Sequence, residues 1–263
     1  MKDPVIRAVP AVTRAIRILR LLEKSPEPLT VSEISAALEL VPSTCLHILR
    51  ALVEDDLVST HRGTRRYTLG TGLLVLAKDF LDKDDFGRAA KPALQDIAGE
   101  FGVTTCATEL VRNDHFTVVA AVGGTDFASM RIVVGSSFPM MLGAAGRCVA
   151  ASSDWSDAES SRRFKGIKWQ SAPGQKQWLA DVAETRRQGF AIDDGNATAG
   201  VVVVSVPLLS APGQIYGCIT AVGVREQLSG RRLKELAARM MRKARAVAER
   251  TGMRMLTGPD VAA

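Results

Sequence analysis

An α+β chain of two domains is what this sequence predicts, and three observations carry the prediction. Residues 1–70 read as short amphipathic helices closing on a pair of strands. Residues 71–85 form a helical stretch that is apolar over more of its circumference than a lone surface helix should be. Residues 86–263 mix strand-like runs, paired antiparallel across turns, with helices at both ends. The chain has 263 residues, 46% of them hydrophobic, enough for two separate cores. Its formal charge of +6 fits a nucleic-acid partner, but many enzymes are also mildly basic, so where the charge sits decides.

The first element is a helix with Val12, Ala15, Ile16, Leu19 and Leu22 at helical spacing, stopped by Ser25-Pro26-Glu27-Pro28. Thr30 and Glu33 make a capping box for a second helix whose inward residues are Val31, Ile34 and Leu38. Pro42 suits the first position of a third helix, where its missing N–H costs nothing. Cys45, Ile48, Leu49 and Leu52 form the buried stripe of that helix. Ser43, Thr44, His47 and Arg50 share a donor-rich face beside it. Leu57 to Thr60 and Tyr67 to Leu69 then flank the basic tip His61-Arg62-Gly63-Thr64-Arg65-Arg66. A hairpin with a basic tip directly after two such helices is the layout of a winged helix-turn-helix. The apolar residues of the linker helix, Leu73, Leu74, Leu76, Ala77, Phe80 and Leu81, call for a second helix to pack on, in this chain or a partner's.

In the larger domain a helix runs from Phe86 through Pro92, Leu94 and Ile97 to Phe101. Strands are predicted at Val103–Val111, Phe116–Val122 and Ser129–Val134, and helices at Gly143–Ala151 and Trp178–Gln188. Val201–Leu209 and Gln214–Val224 flank Ser210-Ala211-Pro212-Gly213 as a further hairpin, and an amphipathic helix from Ser229 to about Arg250 closes the chain. The arrangement suggests a GAF-like sensor domain.

Other classes find little support. The N-terminus carries no apolar core of signal-peptide length, so the chain is expected in the cytoplasm. The uncharged stretch from Gly195 to Val224 is broken by Pro207 and Pro212-Gly213 and reads as two buried strands, with no membrane role. Cys45, Cys106, Cys148 and Cys218 lack CxxC pairing, and with only three histidines no metal or other cofactor is expected. The terminal helix is rich in arginine and lysine; a solvated outer face over an apolar stripe is the favoured reading, with a secondary nucleic-acid contact as the alternative. A hydrolase using Cys148, or a serine near His115 and Asp114, has only the residue types in its favour, because no GxSxG, HExxH, P-loop or Rossmann fingerprint is present. A third reading is a ligand-independent DNA-binding regulator whose larger domain only oligomerises.

Val12-Thr13-Arg14-Ala15-Ile16-Arg17-Ile18-Leu19, Leu29-Thr30-Val31-Ser32-Glu33-Ile34 and Pro42-Ser43-Thr44-Cys45-Leu46-His47-Ile48-Leu49 resemble the IclR family of transcriptional regulators. So do Tyr67-Thr68-Leu69-Gly70, the run from Pro139 to Arg147, and Arg187-Gln188-Gly189-Phe190-Ala191. Each motif is weak alone; their order and spacing together are specific. The resemblance implies a cytoplasmic repressor or activator that binds palindromic double-stranded operator DNA as a homodimer or dimer of dimers and responds to a metabolite. Ser43, Thr44, His47 and Arg50 are then the base and phosphate contacts, with Arg62, Arg65 and Arg66 anchoring phosphate or minor groove and Arg14 touching phosphate. The implied effector contacts are Met140, Met141, Leu142, Ala144, Ala145, Asp193, Val203, Thr220 and Val222. Close packing through small residues competes with the anion-holding role of Gly143-Ala144-Ala145-Gly146. Three departures from the family pattern stand out: Gly195-Asn196 replaces an acidic pair, Met141 replaces a histidine, and two strand positions that are polar in some members are valines. They point to a larger, partly apolar effector such as an aromatic acid or amide.

Overall fold

The computed structural model describes residues 9–61, 63–111, 114–124 and 130–256. The chain divides into two compact units, Met1–Lys83 and Asp84–Ala263.

In the first unit, α1 (Pro10–Lys24), α2 (Val31–Leu38) and α3 (Pro42–Glu54) surround one apolar core, and a three-stranded antiparallel sheet closes it. Its strands are β1 (Leu29–Thr30), β2 (Val58–His61) and β3 (Arg66–Leu69), ordered β1-β3-β2. The capping box is present: Thr30 Oγ1 accepts the Glu33 amide at 3.3 Å, and the Glu33 carboxylate accepts the Thr30 amide at 2.6 Å. Pro42 opens α3. Helix α1 is turned from the expected stripe. Ile18 and Leu22 are its buried residues, while Val12 and Ile16 are 55% and 45% exposed. The reason is that Ile18 enters the core, and with Ala15, Leu19 and Leu22 it completes a 3.6-period face that leaves Val9, Val12 and Ile16 outside. Helix α4 (Gly72–Lys83) follows, with Leu74, Val75, Leu76 and Phe80 exposed, so it buries little within its own unit.

The second unit is a seven-stranded, wholly antiparallel sheet between two helical layers. Its strands are β4 (Thr104–Val111), β5 (His115–Val122), β6 (Ser137–Pro139), β7 (Ala191–Asp194), β8 (Val201–Ala211), β9 (Gln214–Val224) and β10 (Arg254–Met255). The order is β10-β8-β9-β4-β5-β6, with β7 also on β8. On one face lie α5 (Asp85–Phe101) and α9 (Gly230–Thr251), whose Leu94, Ile97, Leu236 and Met240 meet Val204, Val206 and Ile219 of the sheet. Part of the basic charge of α9 is used here: Arg239 pairs with Glu100 at 2.8 Å, Lys243 with Asp96, and Arg232 donates to the Phe101 carbonyl. On the other face lie α6 (Gly143–Ser152), α7 (Asp157–Lys165) and α8 (Gln175–Gln188).

The strand expected over 129–134 does not form among the described residues 130–134. Val133 and Val134 are exposed. The chain turns at Gly135, where φ is +89°, and pairing with β5 begins only at Gly135 and Ser136, whose backbone bonds Val118. β-Branched residues without an edge to join stay irregular, and β6 follows at Ser137.

Candidate functional sites

Helix α3 carries the candidate nucleic-acid face. Cys45, Leu49 and Leu52 are buried in the core of the first unit, and this fixes the rotation of the helix. Ser43, His47 and Arg50 are left exposed, and Thr44 is half-buried. Arg14 of α1 is also exposed. In the turn between β2 and β3, Arg65 is exposed and holds a left-handed backbone at φ +49°. Arg62 lies outside the described residues. Arg66 differs from the other expected anchors: its Nη1 donates to the Pro28 carbonyl at 2.7 Å and to the Glu33 carboxylate at 3.3 Å. It ties the hairpin to the start of α2. The same carboxylate, held chiefly by the Thr30 amide and helped by Arg66, titrates below the ordinary glutamate range.

In the second unit the expected effector residues converge on the sheet face beneath α6. Register places Asp193 opposite Val203, Val203 opposite Val222, and Val222 opposite Thr104, one row across β7, β8, β9 and β4. The next row runs Ala191, Ser205, Thr220 and Cys106, with the Ser205 and Thr220 hydroxyls 2.9 Å apart. Met140 and Met141 are buried just before α6, Leu142 is its N-cap residue, and Ala144 and Ala145 occupy its first turn. Both roles of the small residues are visible. Gly143 needs its φ of +62°, and a side chain on Gly146 would stand 2.0 Å from the Met141 carbonyl oxygen. Close approach therefore demands glycine at 146, while the Ala144 and Ala145 amides remain at the helix N-terminus, where an anion is favoured.

Asp193, one of the expected effector contacts, already has partners within the protein. It is completely buried, one oxygen accepting from Arg147 Nη1 at 2.7 Å and the other from the Ala197 amide at 2.9 Å. Arg147 is itself 1% exposed and also reaches Asp181 at 3.1 Å, the Gly143 carbonyl at 3.1 Å and Asn196 Oδ1 at 2.8 Å, with its guanidinium 5.8 Å from the Trp169 ring. Asn196, one of the two residues that replace the usual acidic pair, thus accepts from Arg147 as a neutral group where a carboxylate would add a further half-buried charge. Sequence reasoning missed Arg147 as a functional position. The available signal was a lone arginine inside a helix otherwise made of small residues, which demands a buried partner.

All four cysteines are buried and free. Cys148 Sγ contacts the Ser205 carbonyl at 3.4 Å, and desolvation pushes the Cys106 thiol up to about 12 and the Cys218 thiol well above its usual range. Cys106 and Cys218 are therefore poor nucleophiles, and Cys148 is held out of reach by its burial. His115 and Asp114 form an exposed pair at 3.2 Å at the start of β5. Among the described residues no cluster of histidine, cysteine and acidic side chains could hold a metal, and no single helix is long and apolar enough to cross a membrane.

Comparison with known proteins gives these features a family. Residues 11–62 match the IclR helix-turn-helix domain and residues 78–249 the bacterial transcriptional regulator IclR C-terminal domain. The glycerol operon regulatory protein of Streptomyces coelicolor is 25% identical over 251 residues, 94% of this chain and 98% of that protein. A crystal structure of an IclR-type transcriptional regulator from Alicyclobacillus acidocaldarius superposes with a TM-score of 0.82 at 25% identity, covering 94% of this chain and 100% of that one. An IclR homologue from Microbacterium hydrocarbonoxydans, crystallised with 4-hydroxybenzoate, has the same fold at 14% identity, with a TM-score of 0.75 over 91% of this chain and 98% of its own. With both domain models matched in order and the second alone spanning more than half its length, this chain belongs to the IclR family of bacterial transcriptional regulators, DNA-binding proteins and not enzymes.

Proposed function

We propose that this regulator is a cytoplasmic, effector-responsive repressor of catabolic genes. It binds palindromic double-stranded operator DNA as a homodimer or dimer of dimers. The observation that carries the reading is the presentation of α3, with one face locked in the core and Ser43, His47 and Arg50 held out to solvent. Arg50 has the reach for a guanine edge and His47 for a neighbouring base; Ser43 and Thr44 suit phosphate at the helix N-terminus, and Arg14, Arg62 and Arg65 add phosphate contacts. Arg66 contributes indirectly, by holding the wing in place. The exposed apolar side chains of α4, Leu74 and Val75 above all, suit a second copy of the chain, and two-fold symmetry then matches a palindrome.

The effector reading rests on the row Asp193, Val203 and Val222 beneath α6, with Met140, Met141 and Leu142 at its border. Asp193 is neutralised by Arg147, and the valines cannot donate, so the Ala144 and Ala145 amides and Thr220 remain to hold one polar end of a larger, partly apolar ligand. Support comes from the related protein bound to 4-hydroxybenzoate and from the relative that regulates a glycerol operon. The test is fluorescence anisotropy on the intergenic DNA beside the gene, together with calorimetry of glyoxylate, pyruvate, benzoate and benzamide. His47→Ala or Arg50→Ala should cost about 1–3 kcal/mol on the operator and relax preference at particular base pairs. An unchanged ranking of single-base operator variants would overturn the reader assignment. Tight binding of the oxoacids with none of the aromatics would overturn the effector class.

A further inference from the structure

The second unit holds a recess away from the row beneath the start of α6. It has a volume of about 490 Å³ and sits between the C-terminal half of α6, the segment leading into α7 and the tip of the β8–β9 hairpin. Its floor is apolar, made by Leu110, Met140, Val149 and Ile215. One wall is Trp155 with the Arg163 guanidinium stacked on its ring, 4.1 Å from the centroid. Hydroxyls of Ser153 and Ser210 stand at the rim.

The electrostatics of this recess select the sign of an occupant. Arg163 uses its Nε on Glu159 at 2.7 Å, and among the described residues nothing hydrogen-bonds its two terminal amino groups. The C-terminal carbonyls of α6 would ordinarily repel an anion here, but Arg186 donates to those of Ala150 and Ala151 at 3.0 and 3.1 Å. Glu159 is shared between Arg162 and Arg163, so the arginines outnumber it. The carboxylate of Asp154 stands by Gly213 at the hairpin tip. An anionic group therefore has its favourable end at Arg163, away from Asp154, and the rest of a ligand meets a mixed lining in which an apolar strip of Leu110, Val149 and Ile215 is bordered by Ser153, Ser210 and Gln214.

We propose that this recess is a second small-molecule site that takes an aromatic monocarboxylate. The carboxylate pairs with the free edge of Arg163, and the flat ring lies on Leu110, Val149 and Ile215 beside Trp155. The volume suits a one- or two-ring compound. Met140 lies at the border of both sites, on the segment that leads into α6, so occupancy here reaches the start of α6 through a side chain already packed against both. The site stands apart from the effector reading and survives its failure.

The test titrates 1-naphthoate into the full-length protein by calorimetry, following tryptophan emission in parallel. Wild-type protein should bind with quenching of Trp155. Arg163→Gln should weaken binding about ten- to a hundredfold, the loss expected for one charged hydrogen-bonded anchor. Ser210→Trp, which fills the recess from its exposed rim, should abolish binding at the recess and leave in the calorimetric stoichiometry at most the site of the effector row. Thr220→Val, in the row beneath α6, should leave binding at the recess within about twofold. Failure of wild-type protein to bind 1-naphthoate at about 1 mM overturns the proposal, as does binding lost in Thr220→Val and kept in Ser210→Trp. The second outcome would assign the ligand to the effector row instead.

Discussion

Replacing Arg147 by Met probes the most heavily bonded side chain of the sensor domain. The substitution keeps much of the side-chain volume, so little of its effect comes from a cavity. What it removes is the partner of Asp193, a carboxylate as completely buried as Arg147 itself. The Ala197 amide alone remains to it. Asp181, about a quarter exposed, can turn to water, and Asn196 and the Gly143 carbonyl each lose one charge-assisted bond. Breaking a buried pair by deleting one member costs about 3–5 kcal/mol, most of it the stranded charge. With a urea m-value of roughly 2–3 kcal/mol/M, that lowers the midpoint of the sensor-domain transition by about 1–2.5 M. Trp169 and Trp178 emission reports the transition, because both rings lie in this unit. Adding Asp193→Asn should return about half the loss, since the amide carries no charge to strand. A single variant costing less than about 1 kcal/mol, or a double variant no more stable than the single, would refute the claim that Arg147 exists to neutralise Asp193.

Four further outcomes follow from the same geometry. Arg65→Ala should weaken binding to all DNA sequences alike and reduce the salt slope by about one unit, read from binding titrations at several salt concentrations. Thr30→Ala removes the cap of α2 and should cost about 1 kcal/mol in thermal unfolding of the DNA-binding domain. Glu109 is half-buried, accepts from the Tyr216 hydroxyl at 2.6 Å and lies near Asp84, so desolvation and the neighbouring carboxylate raise its pKa. Its protonated form is favoured in the folded state, so its contribution is greatest at low pH and falls as pH rises from the ordinary glutamate value through the raised one; Glu109→Gln should flatten that part of the stability-against-pH curve measured by denaturant titration. The cysteines should react with a thiol reagent near pH 8 only slowly until denaturant is added, and prompt labelling of the native protein would contradict their burial.

What is legible in the sequence is local. Thr30 and Glu33 are three residues apart, Pro42 opens its helix within its own turn, and the hairpin tip is bracketed by its strands, so each piece of the DNA-binding face is specified by residues adjacent in the chain. The rotation of α1 is less readable, because Val12, Ile16, Ile18 and Leu22 are all apolar and only the core decides which of two overlapping stripes it takes. The strands β7 and β10 are too short to carry a pattern, and α7 is so polar that its Ser156 cap is its clearest signal. Asp193 stands out in the sequence only through family resemblance, and its partner lies 46 positions away on α6. That distance matters for the chemistry. With the carboxylate already paired, the first-turn amides of α6 stand beside an acid that is neutralised. The prevailing field there favours a negative ligand end, whereas an unpaired Asp193 would oppose one. If the proposed effector site is here, its specificity turns on a residue that the ligand need not touch: Arg147→Met should free the Asp193 charge and weaken the binding of acids relative to amides, which calorimetry of benzoate against benzamide would read.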